Sequence, residues 1–131
     1  MMKKFALLLM LLTFVSVGVS AQLPKVAYAL QDLRSYQDHG KKIKNLKSAK
    51  EKIDAAVLHK RTMNSSQAHF TRGEVYVEIA LNGTLMDSGK AWRIAKESFE
   101  KIIELEKNNK GGMVKYSKEA KMALTHFPST F

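Results

Sequence analysis

Between residues 66 and 107 apolar residues recur three and four apart in two runs, QAHFTRGEVYVEIA and KAWRIAKESFEKIIELEKN, with a polar loop between them. That period belongs to helices buried along one side. Gly73 stands inside the first run, where a glycine costs about 1 kcal/mol relative to alanine. A glycine kept in such a place marks the close approach of a second backbone. Tyr76 follows three residues later, and Ala95, Phe99 and Ile102 fall at i, i+4 and i+7 in the second run. The two runs therefore read as an antiparallel helix pair with Gly73, Tyr76, Ala95, Phe99 and Ile102 at its contact.

The chain has 131 residues, and residues 1–21 read as a secretory signal peptide rather than as part of the fold. Lys3 and Lys4 form its basic start, an apolar run spans residues 5–19, and Val19, Ser20 and Ala21 supply the small residues that a signal peptidase reads. The run is shorter than the ~20 residues that a bilayer span needs. Cleavage is expected between Ala21 and Gln22, and the mature chain is expected in the periplasm or cell envelope. No cysteine follows that site, which argues against a lipid-anchored form and against disulfide staples. Loss of Lys3 and Lys4 lowers Lys+Arg from 22 to 20 against 12 acidic residues, a mature net charge of about +8. Such a balance suits an anionic component of the envelope; nucleic acid is not expected as a partner of an exported chain.

The remaining residues, 22–131, form one domain of about five helices. The first spans 23–39, with Leu23, Val26, Ala27, Leu30, Leu33 and Tyr36 as its apolar stripe, Pro24 in its first turn and Gly40 at its end. The second spans 43–59 and buries Ile43, Leu46, Ala49, Ile53, Ala56 and Val57. Its other side is rich in lysine, and Lys41, Lys42, Lys44 and Lys47 form a basic face that reads either as solvated exterior or as a docking surface for anionic lipid or glycan. The third helix spans 66–81, capped by Asn64, Ser65 or Ser66, and Asn82-Gly83 stops it. Asp87 or Ser88 caps the fourth, which continues to 107, and a last helix spans 113–125 with Val114, Tyr116 or Ser117, Ala120, Met122, Ala123 and Leu124 as its stripe. Nothing reads as a strand, so the fold class is all-α with mostly antiparallel neighbours.

Residues 46–57 align with 93–104 at an offset of 46, placing Ala49 with Ala95, Ile53 with Phe99, Ala56 with Ile102 and Val57 with Ile103. Each segment is then the second helix of a helix-turn-helix unit. With His69, Gly73 and Tyr76 in the first helix, Ala95, Phe99 and Ile102 in the second and Leu105 at its end, the chain resembles a tetratricopeptide-repeat protein of a short, exported bacterial type. It departs from that pattern at His69, Arg72, Ile102 and Lys107, and in a longer stretch between Tyr76 and Ala95. Residues 66–107 are the best-matching unit, 22–61 a degenerate one, and 113–126 an extra or capping helix.

The resemblance implies antiparallel helix-turn-helix repeats stacked as a short right-handed α-solenoid. It also implies a concave groove, lined by the first helix of each unit, that takes an extended or helical segment of a protein partner. Carried over by position, the groove residues are Gln67, Phe70, Glu74, Val77 and Glu78. Stacked repeats normally number at least three, so two and a half units imply marginal stability, self-association to a homo-oligomer, or a shortened version of a longer array.

No constellation for catalysis is visible. His39, His59, His69 and His126 do not pair at helical ligand spacing, no serine has a nucleophile-elbow setting, and no phosphate-binding glycine loop occurs. Glu97, Glu100 and Glu104 alternate with Lys96, Lys101 and Lys107 as on a salt-bridged exterior, and Trp92 reads as a packing anchor. The expectation is a non-enzymatic interaction scaffold without metal or cofactor.

Overall fold

Two capping side chains set where the central helix pair begins. Ser65 Oγ accepts the Ala68 N–H at 3.3 Å, and Asp87 accepts the Lys90 N–H at 3.0 Å. In the computed structural model, residues 23–131 are described, and the expected leader at 1–21 lies outside them. They form five helices: α1 Leu23–Asp38, α2 Ile43–Leu58, α3 Ser66–Asn82, α4 Ser88–Lys107 and α5 Ser117–Thr125. No strand occurs among the described residues, and the chain is all-α.

Cross-links between the helices fix their directions. Asp32 of α1 accepts from Ser48 and Lys52 of α2, both at 2.7 Å, so the two run antiparallel from the short turn at 39–42. Asp54, in the last turns of α2, accepts from Tyr76 Oη at 2.7 Å and from Arg72 Nε at 3.2 Å, both near the middle of α3. Ser88 Oγ donates to the Ala80 carbonyl at 3.0 Å and the Ser66 N–H to the Gly111 carbonyl at 2.9 Å, which ties the two ends of α3 to opposite ends of the α4 region. Gln37 donates to Glu78 at 3.1 Å, so the ends of α1 and α3 meet and these two helices run parallel. Each helix thus packs on the next in the chain, and α1 also packs on α3.

The core follows from this series. Val26, Ala29, Leu33 and Tyr36 of α1 and Leu46, Ala49, Ile53 and Ala56 of α2 are buried with Val75, Tyr76 and Ile79 of α3. Phe99 and Ile102 of α4 join Ala120 of α5 in an adjoining cluster. Gly73 is the close point of the α3–α4 pair, where an added Cβ would stand 2.6 Å from the Phe99 ring. The alignment at offset 46 has a physical counterpart: Ala49, Ile53 and Ala56 are buried as Ala95, Phe99 and Ile102 are, and Val57 and Ile103 are half-buried alike.

Three expectations need correction. Ile43, expected in the buried stripe of α2, is exposed, because it is the first residue of that helix and lies beyond the part of α2 that α1 covers. In α1, Ala27 faces out, being one residue and about 100° round the helix from buried Val26, and Ala29 takes its place in the stripe. The last helix begins at Ser117 and not at residue 113, because Glu106 accepts the N–H groups of Tyr116 and Ser117 at 2.8 and 3.1 Å and so caps α5 there. Val114 and Met122, expected in its stripe, are exposed, and only Ala120 of α5 is fully buried. The long stretch between Tyr76 and Ala95 is mostly helix, with residues 83–87 alone outside α3 and α4.

Candidate functional site

Parallel neighbours leave a valley between them, and the valley between α1 and α3 is closed at one end by the start of α5. The resulting groove encloses about 340 Å³. Its apolar lining is Leu30 of α1, Phe70 of α3 and Tyr116 at the N-cap of α5. Phe70 stacks on Tyr116 with ring centroids 4.8 Å apart and meets Phe99 edge-on at 5.6 Å. Arg34, Gln37 and Asp38 supply polar groups from α1, and Gln67, Thr71 and Glu74 from α3. A shallower hollow of about 400 Å³ continues over the other flank of α1, again with Leu30, Arg34 and Asp38 in its lining.

The electrostatics are mixed rather than single-signed. Burial raises the pKa of the Glu74 carboxyl above the usual value, and the neighbouring Glu78 adds to this, while the Arg34 guanidinium opposes it. Thr71 Oγ1 donates to the Gln67 carbonyl within its own helix. An apolar strip edged by donors, acceptors and both charges suits one or two apolar side chains and the polar flanks of a peptide. Among the described residues, no group of three or more His, Cys, Asp and Glu could hold a metal ion.

Of the groove residues carried over by position, Gln67, Phe70 and Glu74 line this groove. Val77 packs into the core and Glu78 holds Gln37, both further along α3. Leu30, Arg34, Gln37, Asp38 and Tyr116 were not legible as groove residues. The signal for the α1 set is an offset of 40: Leu30 lies forty residues before Phe70, Arg34 before Glu74 and Asp38 before Glu78. First helices repeat at 40 and second helices at 46, since six additional residues separate Tyr76 from Ala95.

The basic face occupies the turn between α1 and α2 and the first turns of α2. Lys41, Lys42, Lys44 and Lys47 are exposed there, whereas Lys50 pairs with Asp54 at 3.1 Å and Lys52 with Asp32 at 2.7 Å. Gly73, Tyr76, Ala95, Phe99 and Ile102 are buried. Trp92 packs on Phe127 at 4.9 Å, so residues 127–131 fold back over α4 and frame a wide, open hollow with Arg93, Lys96, Glu97 and Glu100.

No family model matches the chain, and no curated protein or solved structure matches it.

Proposed function

We propose that this chain is an exported, non-enzymatic scaffold of the tetratricopeptide-repeat type that takes a segment of a protein partner in the groove between α1 and α3. The observation that carries this reading is the repetition of groove chemistry at offset 40, with Leu30 and Arg34 on one wall and Phe70 and Glu74 on the other. A groove flanked by two equivalent helices, apolar at its base and polar at its rim, is shaped for an extended or helical segment. The compartment assigned by this reading is the periplasm or cell envelope, on the strength of the leader pattern in residues 1–21.

A photo-crosslinking side chain at Gln67 tests this in cells that export the protein. The expected result is a discrete adduct with one partner from position 67, none from position 97 on α4, and loss of the adduct on Arg34→Glu. Equal adducts from both positions, or none from position 67, would overturn the reading.

A further inference from the structure

The helix directions gather the segments 58–66 and 107–118 at one end of the bundle. Their proximity is explicit, since the Ser66 N–H donates to the Gly111 carbonyl and Gly111 is buried against Ser66. Lys52 Nζ lies 5.8 Å above the Tyr28 ring, which sets α1 antiparallel beside α2 and brings Leu23 to this same end. Any residues preceding Leu23 therefore attach here.

This end combines two features that are normally kept apart. Leu58 and Met113 are 83% and 98% exposed, and Met63 and Val114 are 43% and 56% exposed. Interleaved with them are Lys60, Arg61, Lys107, Lys110, Lys115 and Lys118, and neither segment contains an Asp or Glu. Two carboxylates border these segments: Glu106, engaged by the backbone of Tyr116 and Ser117, and Glu119, exposed in the first turn of α5. The opposite end differs in charge: Asp38 and Asp87 stand among its lysines, although it too exposes apolar side chains, Leu81 at 66% and Ile43 and Leu85 at 40% and 39%. Exposed apolar side chains set within a surplus of positive charge, six basic side chains against the one exposed carboxylate of Glu119, are complementary to a surface that offers anions outside and hydrocarbon just beneath.

We propose that this end docks on an anionic bilayer surface, with Met113, Val114 and Leu58 entering the headgroup layer and the surrounding lysines and Arg61 meeting lipid phosphates. The docking end is separate from the Lys41–Lys47 face and meets the groove only at Tyr116, which closes one end of it. It stands whether or not the groove reading does.

Flotation of the chain from Gln22 onward, which holds every core residue described, tests the proposal with vesicles of phosphatidylcholine alone or with about one-third phosphatidylglycerol. Helical circular dichroism of each variant confirms folding, and all substituted side chains are exposed. The chain should float with the anionic vesicles only, and less so as salt rises. Lys110→Glu/Lys115→Glu and Met113→Ser/Val114→Ser should each weaken binding about tenfold or more, from lost charge and lost burial respectively. Lys41→Glu/Lys44→Glu should leave it within about twofold, those residues being at the other end. No binding to anionic vesicles overturns the proposal, as does equal weakening by the Lys41→Glu/Lys44→Glu pair. Unchanged vesicle binding by Met113→Ser/Val114→Ser together with tight binding of soluble heparin would also overturn it, making this end a polyanion site instead.

Discussion

Gly73 has no room for a methyl group, because the Phe99 ring that fills the space is itself held edge-on by Phe70 and Phe127. Gly73→Ala should therefore destabilise the fold by about 1–3 kcal/mol through overpacking, despite the helix-propensity gain. Thermal melts check this, and Phe99→Leu added to Gly73→Ala should recover part of the loss; a stabilised single variant would refute the close-packing account. His69 is buried and its Nε2–H donates to the Met63 carbonyl at 2.6 Å. Burial holds its pKa below the ordinary 6.5, outweighing the opposing effect of that hydrogen bond. The unfolded chain thus takes up the proton more readily, so stability is full above pH 6.5 and falls as pH drops toward the folded value. The slope for one proton is at most about 1.4 kcal/mol per pH unit. His69→Gln, which keeps a donor for Met63, should flatten the loss of melting temperature between about pH 7.5 and 5.5. At this scale the sequence was readable where spacing alone decides, as for Gly73. It was silent on Arg72, whose departure from an apolar residue is explained only by Asp54 at 3.2 Å and the Tyr76 ring at 5.2 Å, partners contributed by α2 and the next turn of α3.

Helix ends with a local capping signal were legible to within a residue or two: Ser65 caps α3 out of the candidates Asn64, Ser65 and Ser66, Asp87 caps α4 out of Asp87 and Ser88, and Gly83 ends α3. The start of α5 was not, because its cap is a side chain from another helix. Periodicity in Met113 and Val114 extends the apparent helix toward residue 113, but Glu106 of α4 binds the backbone at 116 and 117 and starts the helix there. Burial would raise the pKa of its carboxyl, yet the N–H groups of Tyr116 and Ser117 outweigh this and leave it below the usual range. Glu106→Ala should cost about 1 kcal/mol, as loss of a helix cap does, and should loosen α5 before the other helices. Amide exchange resolves this: faster exchange confined to residues 117–125 is the expected pattern, and uniform acceleration across α1–α4 would show that the cap acts on the whole fold. The α3–α4 stretch is the contrasting case: its helices were expected over 66–81 and from the Asp87–Ser88 cap to 107, and they span Ser66–Asn82 and Ser88–Lys107.

Across the whole molecule, the all-α architecture was legible because every long segment repeats its apolar residues at three and four. Which helices stand side by side was not, since α1 and α3 are brought parallel by contacts more than thirty residues apart in sequence, such as Gln37 with Glu78. The groove inherits that limit: its α3 wall was carried over by position, but its α1 wall needed the pairing. One consequence follows from placing Tyr116 in that groove. α5 is nine residues long, buries one side chain fully and packs mainly on α4, so it has the least holding it in place. Local opening of α5 would take Tyr116 from Phe70 and give the cleft a bare aromatic face. The width of the cleft is then tied to the stability of α5, and an occupant that stacks on Tyr116 should latch that helix as it binds. Slower amide exchange of residues 117–125 with the cleft filled would be the signature of that latch.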